Sequence, residues 1–146
     1  MMEQDKYLAW ADIKGVEYPL CLTIGAADSI EKELGSLDAP LNMINQSIKD
    51  GKMADMLKAV LKTAQPLAKA GRDYIAACAL MSGDKNQLEE AKKIPVLPSN
   101  DVLENVLSAA EIMKLWNACY LATQGGASRE VEAEPDNSAK NAESAM

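Results

Sequence analysis

Two short runs rich in strand-forming residues open the chain, Tyr7 to Ile13 and Val16 to Ile24, with Lys14-Gly15 between them. Two such runs around a Gly predict a β-hairpin. In the second run Tyr18, Leu20 and Leu22 alternate onto one face, and Glu17, Pro19 and Cys21 onto the other. Pro19 has no N–H to donate, which suits an edge strand. An isolated hairpin is marginal in water, so its apolar face is expected to pack on helices.

The rest of the body reads as helices. Residues 25–34 form a short one, with Ile24, Ala27, Ile30 and Leu34 as its apolar stripe and Gly35 as its stop. Asp38-Ala39-Pro40 looks like a cap followed by Pro in the first turn of a second helix. That helix carries Leu41, Ile44 and Ile48 and ends near Asp50-Gly51. The clearest amphipathic pattern follows. Met53, Met56, Leu57, Val60, Leu61 and Ala64 share one side, and Lys52, Asp55, Lys58 and Lys62 the other. Pro66 is expected to kink or end this helix. The pattern resumes through Leu67, Ala70, Tyr74, Ile75, Cys78 and Met81 to a stop at Gly83, with Gly71 as a weak point. Leu88, Ala91 and Ile94 suggest one or two turns, and Pro95 and Pro98 an extended passage. Ser99-Asn100-Asp101 can cap a short helix containing Val102, Leu103, Val106 and Leu107. Ser108 with Glu111 matches a capping box. It opens a last helix with Ile112, Leu115, Trp116 and Cys119 on one stripe, ending near Thr123.

From Gln124 the composition shifts. Residues 124–146 have Val131 as their one branched aliphatic, and Arg129 and Lys140 face Glu130, Glu132, Glu134, Asp136 and Glu143. Such a segment buries too little apolar surface to offset its ordering entropy. The expected organisation is therefore one domain over residues 1–123 and a disordered acidic tail over 124–146. The fold class is α+β, mostly helical, with an N-terminal β-hairpin packed on several short-to-medium helices.

Composition narrows the chemistry. The chain has no His, and 15 Lys+Arg stand against 22 Asp+Glu, for a net charge of −7. Without His there is no Ser-His-Asp triad, no Cys-His pair and no His-ligated metal. A negative balance with Arg only at Arg72 and Arg129 argues against a nucleic-acid groove, which needs clustered cations. Cys21, Cys78 and Cys119 are odd in number and have no C-x-x-C spacing, so buried structural thiols are expected over a disulfide framework or a zinc site. The start, Met1 to Lys6, is polar and lacks the apolar core of a signal peptide. No apolar run approaches the ~20 residues of a membrane span. A cytoplasmic protein is expected.

Candidate sites are few. Glu31 and Glu33, and Glu89 and Glu90, could pair as carboxylates, but each lies on a polar helix face beside Lys32, Lys92 or Lys93. Positions i and i+2 on a helix also point apart. Gly125-Gly126 follows no strand and fits no phosphate loop. No catalytic residue, metal ligand or cofactor site is expected, and the chain reads as no enzyme. Four residues stand out for partner binding. Met53 and Met56 form a Met-containing stripe that is either core or an adaptable surface. Trp116 and Tyr120 are an aromatic i, i+4 pair, with Trp116 on the apolar stripe and Tyr120 one position off it.

The string from Asp12 to Thr23, continuing through Ile24-Gly25-Ala26-Ala27 and Ile30-Glu31-Lys32-Glu33-Leu34-Gly35, resembles the N-terminal signature of the tail assembly chaperones of long-tailed bacteriophages and prophages. There a hairpin with Gly-x-x-Tyr-x-Leu, here Gly15 to Leu20, leads into a small helix with an acidic residue and a terminal Gly. Met53 to Leu61 and Leu97 to Ala122 are similar to the family's helical remainder, so the likeness spans roughly residues 10–123. It is carried by apolar and Gly positions and by no invariant chemistry. The resemblance implies a non-enzymatic protein that coats the tape measure protein, keeps it soluble and helps recruit tail tube subunits. It implies, in many members, a longer product made by a −1 frameshift. It brings no catalytic residues. The alternative is a small phage or bacterial adaptor of another kind, a head–tail completion protein or an inhibitor of a host protein.

Overall fold

A computed structural model describes the backbone of residues 7–133 and the side chains of residues 7–124. Strands β1 (Leu8–Ile13) and β2 (Val16–Cys21) pair antiparallel, Ile13 opposite Val16 and Leu8 opposite Cys21. Lys14 and Gly15 both hold positive φ, 54° and 85°. This is the type I′ turn, whose twist matches that of the strands it joins. The Gly15 N–H donates to Asp12 Oδ1 at 3.0 Å. With Ile13 and Val16 closing the two-residue loop as a hydrogen-bonded pair, Pro19 opposite Trp10 falls in a non-hydrogen-bonded pair. Its missing N–H removes no ladder bond.

One expectation for β2 is corrected. Tyr18, Pro19, Leu20 and Cys21 are all buried, so the second half of the strand is covered on both faces. The cover is helical: α3 (Met53–Ser82) packs on β2, and α6 (Ala109–Ala133) on β1 and β2. α3 meets the hairpin at Gly71, where a Cβ would collide with the Pro19 carbonyl. The glycine that weakens the helix in sequence is what lets the strand backbone reach it.

α1 (Ile24–Leu34) is capped by Thr23, whose Oγ1 accepts from the Ala26 N–H at 3.1 Å, and ends on Gly35. Its buried row is Ala26 and Ile30, with Ala27 and Leu34 partly covered. Ile24 is 90% exposed and leaves the expected stripe. Six residues apart on a helix, it points about 120° away from Ile30.

α2 (Ala39–Asp50) has Pro40 in its first turn and stops on Gly51 in the left-handed region, φ 70°. Asp38 precedes it without a side-chain capping bond. The helix buries only Pro40 and Ile44, an i, i+4 row, against α3. Leu41 and Ile48, expected in the core beside Ile44, are exposed.

α3 is one helix of 30 residues and continues through Pro66, so Pro66 is no boundary between helices. The proline ring leaves the Lys62 carbonyl without its helical donor. Burial continues across the site through Leu61, Ala64, Leu67 and Ala68, and this packing holds the helix together. Buried Thr63 donates from Oγ1 to the Ala59 carbonyl at 2.8 Å, so its hydroxyl is satisfied.

Asp84 caps α4 (Lys85–Lys92), accepting from the N–H groups of Asn86 and Gln87 at 2.8 and 3.3 Å. The chain then runs extended past Pro95 and Pro98 and buries Leu97. Gln65 of α3 pins this passage, donating from Nε2 to Pro98 O at 2.6 Å and Asn100 Oδ1 at 3.0 Å. α5 (Asn100–Val106) buries Leu103.

The capping box of α6 forms. The Glu111 N–H donates to Ser108 Oγ at 3.1 Å, and Glu111 Oε1 accepts from the Ser108 N–H at 2.9 Å. Lys14 Nζ lies 3.1 Å from Glu111 Oε2, joining the hairpin turn to the helix start. The α6 row is Ile112, Leu115, Ala118, Cys119 and Ala122. The helix continues to Ala133, past the end expected at Thr123. Gly125 and Gly126 cost helix propensity but do not stop it, among Ala, Gln, Arg and Glu neighbours that favour helix. Of the expected tail, residues 134–146 lie outside the described residues.

Candidate functional site

The four partner-binding candidates separate in the fold. Met56 is 6% exposed and belongs to the main core cluster with Val60, Leu61 and Ala64. Trp116 is half-buried against the same cluster. Met53 and Tyr120 are open to solvent, at 56% and 45%. The Trp116 and Tyr120 rings lie tilted at 49° with centroids 6.4 Å apart, so the pair is one aromatic unit with a covered end and an exposed end.

A larger apolar surface lies on α2. Leu41 and Ile48, seven residues apart and so on one side of the helix, are exposed, Ile48 at 60%, and Leu37, in the turn before the helix, is exposed as well. Met43 is exposed on the same helix. Periodicity alone expects Leu41 and Ile48 in the core beside Ile44. The signal that separates them is the single buried row of Pro40 and Ile44, which leaves Leu41 and Ile48 on its solvent side.

A second feature lies between α2 and α3. A groove of about 330 Å³ is lined by Met43, Gln46, Ser47 and Asp50 from α2, and by Lys52, Asp55, Lys58, Ala59 and Lys62 at and along the start of α3. Gln46 Nε2 donates to Asp50 Oδ1 at 3.0 Å. The lining mixes three lysines with two aspartates, Gln46 and Ser47 over Met43 and Ala59, so charges of both signs face the groove.

The reactive groups are dispersed. Cys21 and Cys119 are fully buried and Cys78 partly so, and none of the three is in a disulfide. Burial pushes the Cys119 thiol far up, away from thiolate formation. Glu31 and Glu33 sit exposed on α1, and Glu89 and Glu90 pair with Lys92 and Lys93 at 3.4 Å across exposed helix turns. Glu111 is held below the usual carboxylate range, first by the Ser108 N–H and then by Lys14, an arrangement that belongs to the helix cap. Among the described residues no three His, Cys, Asp or Glu side chains converge as metal ligands, and no helix is long and apolar enough to cross a membrane. Compared with family models, curated proteins and solved structures, the chain matches none of them.

Proposed function

We propose that this chain is a tail assembly chaperone of a long-tailed phage or prophage, acting in the bacterial cytoplasm without enzymatic activity. In this reading it binds the tape measure protein, keeps it soluble and helps bring tail tube subunits to it. The observation that carries the reading is the exposed apolar pair Leu41 and Ile48 on one side of α2, with Leu37 exposed in the turn before it, on a helix that turns only Pro40 and Ile44 inward. A row at helical spacing is a surface that a second amphipathic helix can cover. A tape measure protein is a long helix with apolar stripes to hide until the tube surrounds it. The acidic exterior, net −7, keeps such a complex dispersed. The hairpin and glycine-ended first helix agree with the family likeness. They support the reading as pattern, and they bring no chemistry of their own.

The test is co-expression with the tape measure protein encoded beside this gene, followed by affinity capture at low and high salt. The expected result is soluble tape measure protein that co-purifies and survives moderate salt, because apolar contact is not screened. Leu41→Ser with Ile48→Ser should abolish capture. Equal insolubility of the tape measure protein with and without this chain removes the proposal, and leaves a small adaptor of another kind.

A further inference from the structure

We propose that α2 is the surface through which this chain pairs with a second copy of itself, the two α2 helices lying antiparallel across a two-fold axis. The pairing uses the same face of α2 as the chaperone reading and does not rest on it.

The way α2 sits in the fold leaves that face open. Among the described elements it packs to any extent only on α3, and it turns Pro40 and Ile44 inward. Asp38, immediately before the helix, already has helical backbone angles, φ −83° and ψ −13°. At about 100° per residue, Asp38, Leu41, Asn45, Ile48 and Lys49 fall within one sector of about 100° beside the buried row. All five are exposed. Along the helix this sector runs acid, leucine, asparagine, isoleucine, base.

That order makes the face complementary to itself. With a two-fold axis passing between Ile44 and Asn45, Leu41 of each copy lies over Ile48 of the other. The two Asn45 side chains meet near the axis. An amide carries both donors and an acceptor, so they can satisfy each other, and a polar residue at such a centre fixes the register. Asp38 of each copy is offset from Lys49 of the other by two residues, about 3 Å along the axis. Neither end charge is engaged within the chain. Asp38 makes no side-chain capping bond, and neither it nor Lys49 takes part in an ion pair among the described residues. Lys85 and Lys114 are unpaired too; Lys49 differs in its place, at the opposite end of an apolar pair from a carboxylate. Parallel pairing would set like charges together at both ends, which is disfavoured. One sequence thus supplies both halves of every contact, the condition for an isologous interface. The sector is also electrically balanced, so the net charge of −7 lies elsewhere on the surface.

Size sets the strength. α2 has 12 residues, so the contact is about 18 Å long and one helix wide, short of the ~1,200 Å² of a permanent complex. The dimer is therefore weak. It covers Leu41 and Ile48 when no other partner is bound, and it yields to a tighter one.

The test is sedimentation equilibrium of the purified full chain from about 1 µM to about 1 mM, where weak contacts form and part. The expected weight-average mass rises from 15.7 kDa towards twice that value. Leu41→Ser with Ile48→Ser should hold the chain monomeric throughout and leave the circular dichroism melt unchanged, since both side chains are exposed. Charge reversal tests the direction of pairing. Asp38→Lys alone and Lys49→Asp alone each set like charges at both ends, and each should weaken association at least about tenfold. Mixing the two variants should restore it, because each end contact of the mixed pair is again acid against base. Asn45→Asp, which sets two carboxylates at the axis, repeats the test at an exposed position should a charge reversal fail to fold. A constant monomer mass would overturn the proposal. So would a dimer indifferent to the serine variant or to Asn45→Asp, or folded charge variants whose mixture stays apart. Capture of the tape measure protein is a separate measurement, so either reading can fail alone.

Discussion

Replacing Gly71 with Ala tests the packing of α3 on the hairpin with one methyl group. Gly71 lies in the middle of an α-helix, where Ala is ordinarily better by about 1 kcal/mol. From helix propensity alone, Gly71→Ala should stabilise. The fold reverses the sign. A Cβ there collides with the Pro19 carbonyl oxygen and falls 2.5 Å from its carbon and 3.0 Å from the Leu20 nitrogen. All three are backbone atoms of a strand buried on both faces, so no side chain can swing aside. The helix must back away from β2 and loosen its contacts with Leu20 and Cys21, both fully buried. Overpacking of this kind costs about 1–3 kcal/mol. Because the obstruction is backbone the upper part of that range applies, about 2–3 kcal/mol, so after the propensity gain a net loss of about 1–2 kcal/mol remains, or a melting drop of about 3–8 °C for a domain of this length. The control is Gly25→Ala in the first turn of α1, where the added Cβ meets only Thr23 Oγ1 at an ordinary 3.7 Å. That variant should be neutral or more stable. Urea and thermal unfolding of the two, measured side by side, decide the matter. A Gly71→Ala protein as stable as the parent would refute the crossing of α3 over β2 at this residue.

Four further outcomes are expected. Ser108→Ala removes half of the capping box and should lower stability by about 1 kcal/mol in urea titration. Glu111 has a depressed folded pKa, so its contribution is present above its usual value of 4.5 and fades as pH falls through the lower folded value; Glu111→Gln should flatten the acid limb of a melting-versus-pH curve and leave pH 7–8 unaffected in shape. Truncation after Ala133 should change unfolding free energy by less than ~0.5 kcal/mol, as surface changes do, and a large loss on melting would show that residues 134–146 contribute to the core. Leu61→Ala should cost about 2–5 kcal/mol because its side chain is 1% exposed, whereas Ile48→Ser should stay within ~0.5 kcal/mol; equal losses for the two would mean that Ile48 is not on the surface.

The features legible in the sequence are those written in local chemistry. Gly15 after Lys14 sets the hairpin turn, Gly35, Gly51 and Gly83 stop three helices, and the Ser108–Glu111 pair closes its cap through bonds three residues apart. The illegible features depend on a distant neighbour. Gly71 reads as a helix weakness until Pro19 is known to lie against it. Pro66 reads as a break until the burial of Leu61, Ala64 and Leu67 shows that one continuous face spans it. Gly125 and Gly126 read as a stop, yet two glycines cost only about 2 kcal/mol in a helix, and α6 carries on past them to Ala133. For the candidate site the same division holds. Met53 and Tyr120 are exposed and Met56 is core, while Lys52, Lys58 and Lys62 read in sequence as the solvated side of an amphipathic helix and in the fold also line a groove whose other wall comes from α2.

Leu41 and Ile48 repeat with Ile44 as a core stripe would, and the fold uses only Ile44. Apolar periodicity records which residues avoid water, and it does not say whether the partner that covers them is in the same chain. On α3 nearly every position of the amphipathic stripe finds an intramolecular neighbour, and Val60, Leu61, Ala64 and Leu67 are essentially without exposure. On α2 the supply of apolar residues exceeds what α3 can cover, since that contact is one row wide. An exposed Ile or Leu contributes nothing to folding that Lys or Gln could not, and it adds a solubility liability. A single such residue needs no explanation. Leu41 and Ile48 on one side of one short helix, with Leu37 exposed just before it and Met43 exposed on the same helix, are an excess that folding does not account for. That excess is the physical reason to look for this protein's work in what it binds.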